Sequence, residues 1–340
     1  MSAGLTTSDG MFTVRESAWH GLGTVFKDYP KRAEAQAIAH PWDVAEEPLY
    51  RKRIIKDEGE NGSDLPPLEV FEEIEGWRQN VRDDTLDTLG VVAESYTNVT
   101  NNEIWDIAEA IEKSGSDVMF ETAGSLNGGR QVWVLVRLEE PLIVKGDPRG
   151  ETIPYFALQN SHDGSGAFRG QATTTRIVCQ NTARLADMDA SARGTEFTFR
   201  HSKNVGERIG QAKEALAGWR ESLANWQAQS EQLISQKIQP LAAIEFLDRF
   251  IPMPPVNLIS ERVKANVERD RKMWLESYQG ITGEGLQDTS YGLVQASLEF
   301  LNWHRRANNE ETRFRRTFLT RDGLVSRAVE LSNQAASFSF

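Results

Sequence analysis

The chain has 340 residues, 39% of them hydrophobic and 26% charged, with a net charge of −12. That suffices for one large core or two ordinary ones, and the acidic balance excludes a protein that grips duplex DNA by bulk charge. A single cysteine, Cys179, excludes an internal disulfide framework and a cysteine-built zinc cluster.

No apolar run approaches the roughly 20 residues needed to cross a bilayer, and MSAGLTTSDG lacks the basic and apolar regions of a signal peptide. The expectation is therefore a cytoplasmic chain with no membrane contact. Residues 11–30 open with a short strand and pass into a Gly-punctuated turn, and residues 31–40 read as a short Ala-rich helix. WDVAEEPLYRKRII and LEVFEEIEGWRQNV are extended segments around the polar tip KDEGENGSDLPP. LGVVAESYTNVT leads a strand into a helix that Asn98 or Thr100 caps, with Ile104, Ile107, Ala108 and Ile111 on one face.

Two strand–turn–strand units follow. DVMFETAGSL and RQVWVLVRL flank Asn127–Gly129, where Asn-Gly supplies the positive φ of a hairpin turn, and YFALQN and AFRGQATT flank HDGSG. The chain is then expected to enter a helix at TTRIVCQNTARLA, capped by Thr174 or Thr175, before a short strand in FTFRHSKN. From Val205 the apolar residues Val205, Ile209, Ala212, Leu216, Trp219, Leu223, Trp226 and Leu233 form a heptad seam interrupted at Ser230. An antiparallel helix of the same chain and an oligomer contact both satisfy that seam. Pro240, Pro252, Pro254 and Pro255 read as chain breakers, followed by helices near 258–278, 289–308 and 322–334. The expected fold is α+β: an antiparallel β-hairpin sheet with packed helices over 1–204, then a helical region over 205–340.

Charge is uneven along the chain. Residues 43–94 hold 15 acidic and 6 basic side chains, whereas residues 300–321 hold 2 acidic and 6 basic. His162–Asp163 invites a metal or acid–base reading, but the five histidines show no i, i+4 pair and no HExxH pattern. Cys179, beside Ile177 and Val178 in the expected helix, reads as a structural thiol. GSGAFRG matches neither nucleotide-binding glycine pattern, so its glycines read as turn and close-approach positions. No catalytic residue, metal or cofactor is expected. Arg169 after the turn, Arg176 at the mouth of the expected helix, and Arg200, His201 and Lys203 beyond it are candidate contacts for a nucleic-acid backbone. The amides of 174–177 are a further candidate phosphate acceptor. The same residues also fit ordinary strand and turn duty. RRANNEETRFRRTFLTR is a second candidate basic patch, or a solvated helix face.

RESAWHGLG, ETAGSLNGGRQVWVLVRL, QNSHDGSGAFRG, RIVCQNTARLA and RHSKNV together resemble the phage/plasmid-like protein family, a domain without an assigned reaction, across roughly residues 11–335. The succession of two hairpins and a strand running into a helix is similar to the core of single-strand annealing proteins, among them RecT, Redβ, Erf and the eukaryotic Rad-type annealing ring. That likeness implies a self-associating chain that binds single-stranded DNA without catalysis, with Arg169 and Arg176 as phosphate contacts and Arg130, Lys203 and Arg200 as further ones. The alternative is a protein-interaction module of a mobile element that acts on a host factor through residues 43–94 and the heptad helix.

Overall fold

The computed structural model describes residues 10–14, 23–55, 68–112, 118–138, 140–176, 181–184, 196–199, 205–255, 260–280, 282–308, 312–313, 316–317 and 323–338. The expected tip at 56–67, Trp19, His20, Cys179, Arg200, His201 and Lys203 lie outside them.

The main sheet is built from β1 (Met11–Val14), β2 (Thr24–Phe26), β6 (Val118–Leu126), β7 (Gln131–Leu138), β9 (Glu151–Ser161), β10 (Phe168–Arg176) and β11 (Asn181–Arg184), in the order β11-β10-β9-β7-β6-β1-β2. Two short strands, β8 (Leu142–Ile143) and β12 (Glu196–Phe199), attach to β9 and β10. The ladders are antiparallel except β1 on β2, which is parallel. A separate three-stranded sheet joins β3 (Val44–Ile55), β4 (Leu68–Arg82) and β5 (Thr88–Ala93). The α+β class expected from the sequence is the one observed.

Both hairpin turns follow from their residues. At the β6–β7 turn Asn127, Gly128 and Gly129 all have positive φ. A Cβ at Gly129 would stand 2.6 Å from the indole of Trp42, so only glycine lets that ring pack beneath the turn. At the β9–β10 turn Gly164 takes φ +77°, and Asp163 Oδ1 accepts the Ser165 amide at 2.8 Å, an Asx turn.

Helix α1 (Arg32–Ala39) lies against the β1–β6 side of the main sheet. Helix α2 (Asn101–Glu112) begins with a capping box: Thr100 Oγ1 accepts the Glu103 amide at 3.2 Å, and Glu103 accepts the Thr100 amide at 2.8 Å. Ile104, Ile107, Ala108 and Ile111 are all fully buried, as their spacing predicts, and Trp105 joins them. They meet the sheet face that carries Phe120, Val134, Val136, Phe156, Leu158 and Phe168.

The long helix α3 (Val205–Ser235) lays its seam on this same core. Trp219 packs against Phe156 with ring centroids 5.3 Å apart, and Leu223, Trp226 and Leu233 are buried. Over residues 219–233 the seam is thus satisfied within the chain. Around it sit α4 (Pro240–Phe250), α5 (Glu261–Gln279), α6 (Ser290–Glu299), which runs on as a π-helical turn to His304, and α7 (Gly323–Gln334). One hydrophobic cluster extends from Phe12 to Ala335, so the regions 1–204 and 205–340 share a core.

One expectation needs correction. Among the described residues of the helix expected from Thr174 the backbone is strand: β10 pairs with β9 from Arg169 to Arg176, and 181–184 form another strand. Three consecutive threonines, branched at Cβ, suit a pleated ladder better than a helix start, and β9 offers them a complete partner. Pro240 does stand at a break, between α3 and α4, and it opens the first turn of α4, a helix the sequence did not announce, where a missing N–H costs nothing.

Candidate nucleic-acid interface

The 161–166 turn stands where the two sheets meet. A Cβ on Gly90 of β5 would come within 2.5 Å of the Asp163 Cα, so the turn's backbone lies directly on that strand. Asn80 Nδ2 donates to the His162 carbonyl at 2.7 Å and to Asn98 Oδ1 at 2.8 Å. The His162 amide donates to the Arg130 carbonyl at 2.8 Å. The imidazole of His162 is fully buried, with Nε2 3.0 Å from Asn101 Oδ1 and its ring edge-on to Trp42. Asn101 also donates to the Trp42 carbonyl at 2.9 Å, and Asp43 receives the Asn101 amide at 2.7 Å. His162 is thus a strut that ties the turn to the start of α2 and the end of the α1 connection.

Asp163 faces its own turn. Burial pushes its carboxyl up. Hydrogen bonds from Ser161, Ser165 and the Ser165 amide, with the Arg130 charge, outweigh burial and hold it below the usual carboxylate range. Tyr96, whose hydroxyl donates to the Ser161 carbonyl at 3.2 Å, is pushed up to about 12 by burial and then by the Asp163 charge. Among the described residues no group of three His, Cys, Asp or Glu side chains is placed to hold a metal ion.

The sheet face turned from α2 is itself largely buried, at Trp133, Leu135, Tyr155 and Ala157, and a pocket opens at its end. The registers set Trp133, Gln159 and Arg169 in one row across β7, β9 and β10, with Gln131 and Ser161 in the next. These side chains, with Ser165 and the backbone of 165–167, line a pocket of about 210 Å³. Its lining includes one arginine and no carboxylate, in a chain of net charge −12. Arg169 is half-buried and forms no ion pair among the described residues. Arg130 is exposed at the start of β7, so the two cations lie on either side of β9. Across the turn, Trp77, Val91, Tyr96, Asp163 and Gly164 line a second concavity of about 460 Å³.

Arg176 is not brought beside Arg169. It ends β10, and the unbroken register from 169 to 176 places the two positions on opposite faces of the sheet. The amides of 174–176 belong to the strand ladders and offer no helix N-terminus for a phosphate. In the C-terminal basic stretch, Arg313 is bound to the Trp303 carbonyl and Arg316 to the Arg306 carbonyl at 3.0 Å, so these cations close a local fold. The sequence reading missed Gln131, Gln159 and Ser161. Strand alternation with Trp133 and Arg169 was the signal that would have put them on one face.

A family model described as a domain of unknown function, DUF932, matches residues 88–330. No curated protein and no solved structure matches the chain. The matched span takes in β5, α2, the strands from β6 to β12 and the helices through most of α7, and so both hairpins and the seam of α3. Among the described residues no helix is long and apolar enough to cross a membrane.

Proposed function

The chain belongs to the DUF932 family, and we propose that it is a non-catalytic single-stranded-DNA-binding protein of the annealing kind, serving phage or plasmid recombination. The observation that carries this reading is Arg169: a guanidinium without an ion pair among the described residues, beside a carboxylate-free pocket rich in amide and hydroxyl groups. A phosphate suits that guanidinium, and the amide side chains of Gln131 and Gln159 line the same pocket, whereas the hydroxyls of Ser161 and Ser165 are engaged by Asp163. Arg130, exposed just before β7 and close enough to Asp163 to act on its charge, is the next candidate contact outside the pocket. Annealing needs strands held with their bases exposed and no bond made or broken, which fits a site whose His–Asp pair is committed to structure.

The test is anisotropy of a labelled oligonucleotide against salt, with strand annealing measured without ATP. Each phosphate contact contributes about 0.7 to the slope of log K against log salt on single strands, so Arg169→Ala should flatten the slope by about that amount. Folded protein that binds no oligonucleotide at low salt overturns the reading. A second reading, a module that binds a host protein, is favoured by the exposed apolar side chains of the acidic region 43–94. Co-purification of a host protein together with no affinity for DNA would select it.

A further inference from the structure

We propose that the ribbon of residues 50–55 and 68–75 is a pairing arm for a second copy of this chain, with β3 of one copy hydrogen-bonded edge to edge with β4 of the next. This surface does not depend on the nucleic-acid reading.

The ribbon is under-supported in the single chain. β5 pairs with β4 only from Trp77 to Val81. Past the register break at Pro48/Tyr50, β3 and β4 have only each other among the described residues. Among the described residues neither outer edge of this stretch has a strand partner. A lone two-stranded ribbon is marginal in water, and an open edge is a template for another strand. Apolar side chains nonetheless stand exposed on both of its faces: Tyr50, Ile54 and Phe71 on one, Ile55 and Leu68 on the other, with Phe71 64% and Leu68 62% exposed. A ribbon meant only to repel other chains would not carry them.

Charge selects the partner and the geometry. β3 presents Arg51, Lys52 and Arg53 in succession, while β4 presents Glu69, Glu72, Glu73 and Glu75. Within one copy Arg51 and Arg53 both reach Glu72, and Lys52 reaches Glu69. Glu73 and Glu75 form no ion pair among the described residues. A two-fold contact of β3 on β3 would set cation beside cation, and β4 on β4 would set glutamate beside glutamate, both unfavourable across a strand pair. The contact of β3 on a neighbour's β4 sets opposite charges together. That contact is heterologous, so it repeats into a ring or an open filament and does not stop at two. Nucleic acid is the wrong occupant, because residues 43–94 carry a net charge of −9 (6 basic, 15 acidic).

The experiment uses the full chain and measures mass by light scattering at low salt. Wild type should assemble beyond two copies, and assembly should weaken as salt rises. Lys52→Glu/Arg53→Glu, which makes the β3 arm acidic, and Glu73→Lys/Glu75→Lys, which puts lysines at the two β4 glutamates without an ion pair among the described residues, should each be monomeric. The second variant breaks no ion pair of the arm, which keeps the test open if the first fails to fold. An equimolar mixture of the two should regain assembly, because the new glutamates of one β3 then meet the new lysines of the other's β4, and the other pairing is the wild-type one. Monomeric wild type, a mass that stops at two copies, assembly indifferent to both variants, or a mixture that stays monomeric would each overturn the proposal. So would a wild-type monomer held by a different protein.

Discussion

His40 should make the fold acid-labile, and the size of the effect follows from its surroundings. The imidazole is fully buried between α1 and α2. Nδ1 accepts the indole N–H of Trp105 at 3.0 Å, so Nε2 carries the proton and donates it to the Gly124 carbonyl at 2.8 Å. A second proton on Nδ1 would point at the Trp105 N–H. Burial, opposed in part by the Gly124 hydrogen bond and aided by the nearby Arg82 charge, lowers its pKa from 6.5 to about 4. Above about 6.5 the ring is neutral in both folded and unfolded chains, and its contribution does not change with pH. Between 6.5 and 4 the unfolded chain takes up a proton that the folded chain refuses, so stability falls as pH falls. At about 1.4 kcal/mol per pKa unit the full loss is about 3 kcal/mol, of which about 2 kcal/mol has gone by pH 5. Urea unfolding of wild type and His40→Gln at pH 7.5 and pH 5 isolates this group, since glutamine can keep one donor and one acceptor but cannot titrate. The variant should lose about 2 kcal/mol less than wild type between the two pH values. Equal losses in the two proteins would refute the assignment of a neutral, two-sided His40.

Two other sites give independent checks. Thr100→Ala removes one half of the capping box of α2 and should cost about 1 kcal/mol, seen as a lower urea midpoint with an unchanged m-value. Gly90→Ala places a methyl within 2.5 Å of the Asp163 backbone. It should destabilise the fold by about 1–3 kcal/mol and loosen the 161–166 turn, read as faster amide exchange at Ser165; unchanged exchange would mean that β5 does not support the turn.

The parts of the fold legible in the sequence are those set by local rules. The α2 face needed only apolar residues three and four apart and a Thr-x-x-Glu cap, and the turns needed only Asn-Gly and Asp-Gly. The α3 seam was legible as a stripe, but its partner was not, because the contact of Trp219 with Phe156 joins positions far apart in the chain. The 173–184 segment was misread for the same reason. Its apolar residues fit a helical stripe, and what decides for strand at 174–176 is a register with β9 that begins at Thr152, and at 181–184 a register with β10 itself. The network beneath the turn was equally hidden. Asn80, Asn98 and Asn101 are ordinary polar residues in sequence, and only packing of two sheets against a helix start turns them into a buried frame for His162.

The two arginines show how a boundary error propagates into function. With a helix starting at Thr174 or Thr175, Arg176 stands in its first turn beside amides suited to a phosphate, and Arg169 precedes it on a strand. Once β10 runs as a strand to Arg176, a separation of seven puts the two positions on opposite sides of one sheet. The pocket with Trp133 and Gln159 lies on the side of position 169, whereas position 176 shares the side of Phe168 and Ala172, which pack into the core. Binding at the Arg169 pocket predicts that Arg169→Ala weakens oligonucleotide affinity and lowers the salt slope, while Arg176→Ala leaves both unchanged. Matching slopes for the two variants would place the DNA elsewhere, because no single extended strand lies on both faces of one sheet at β10.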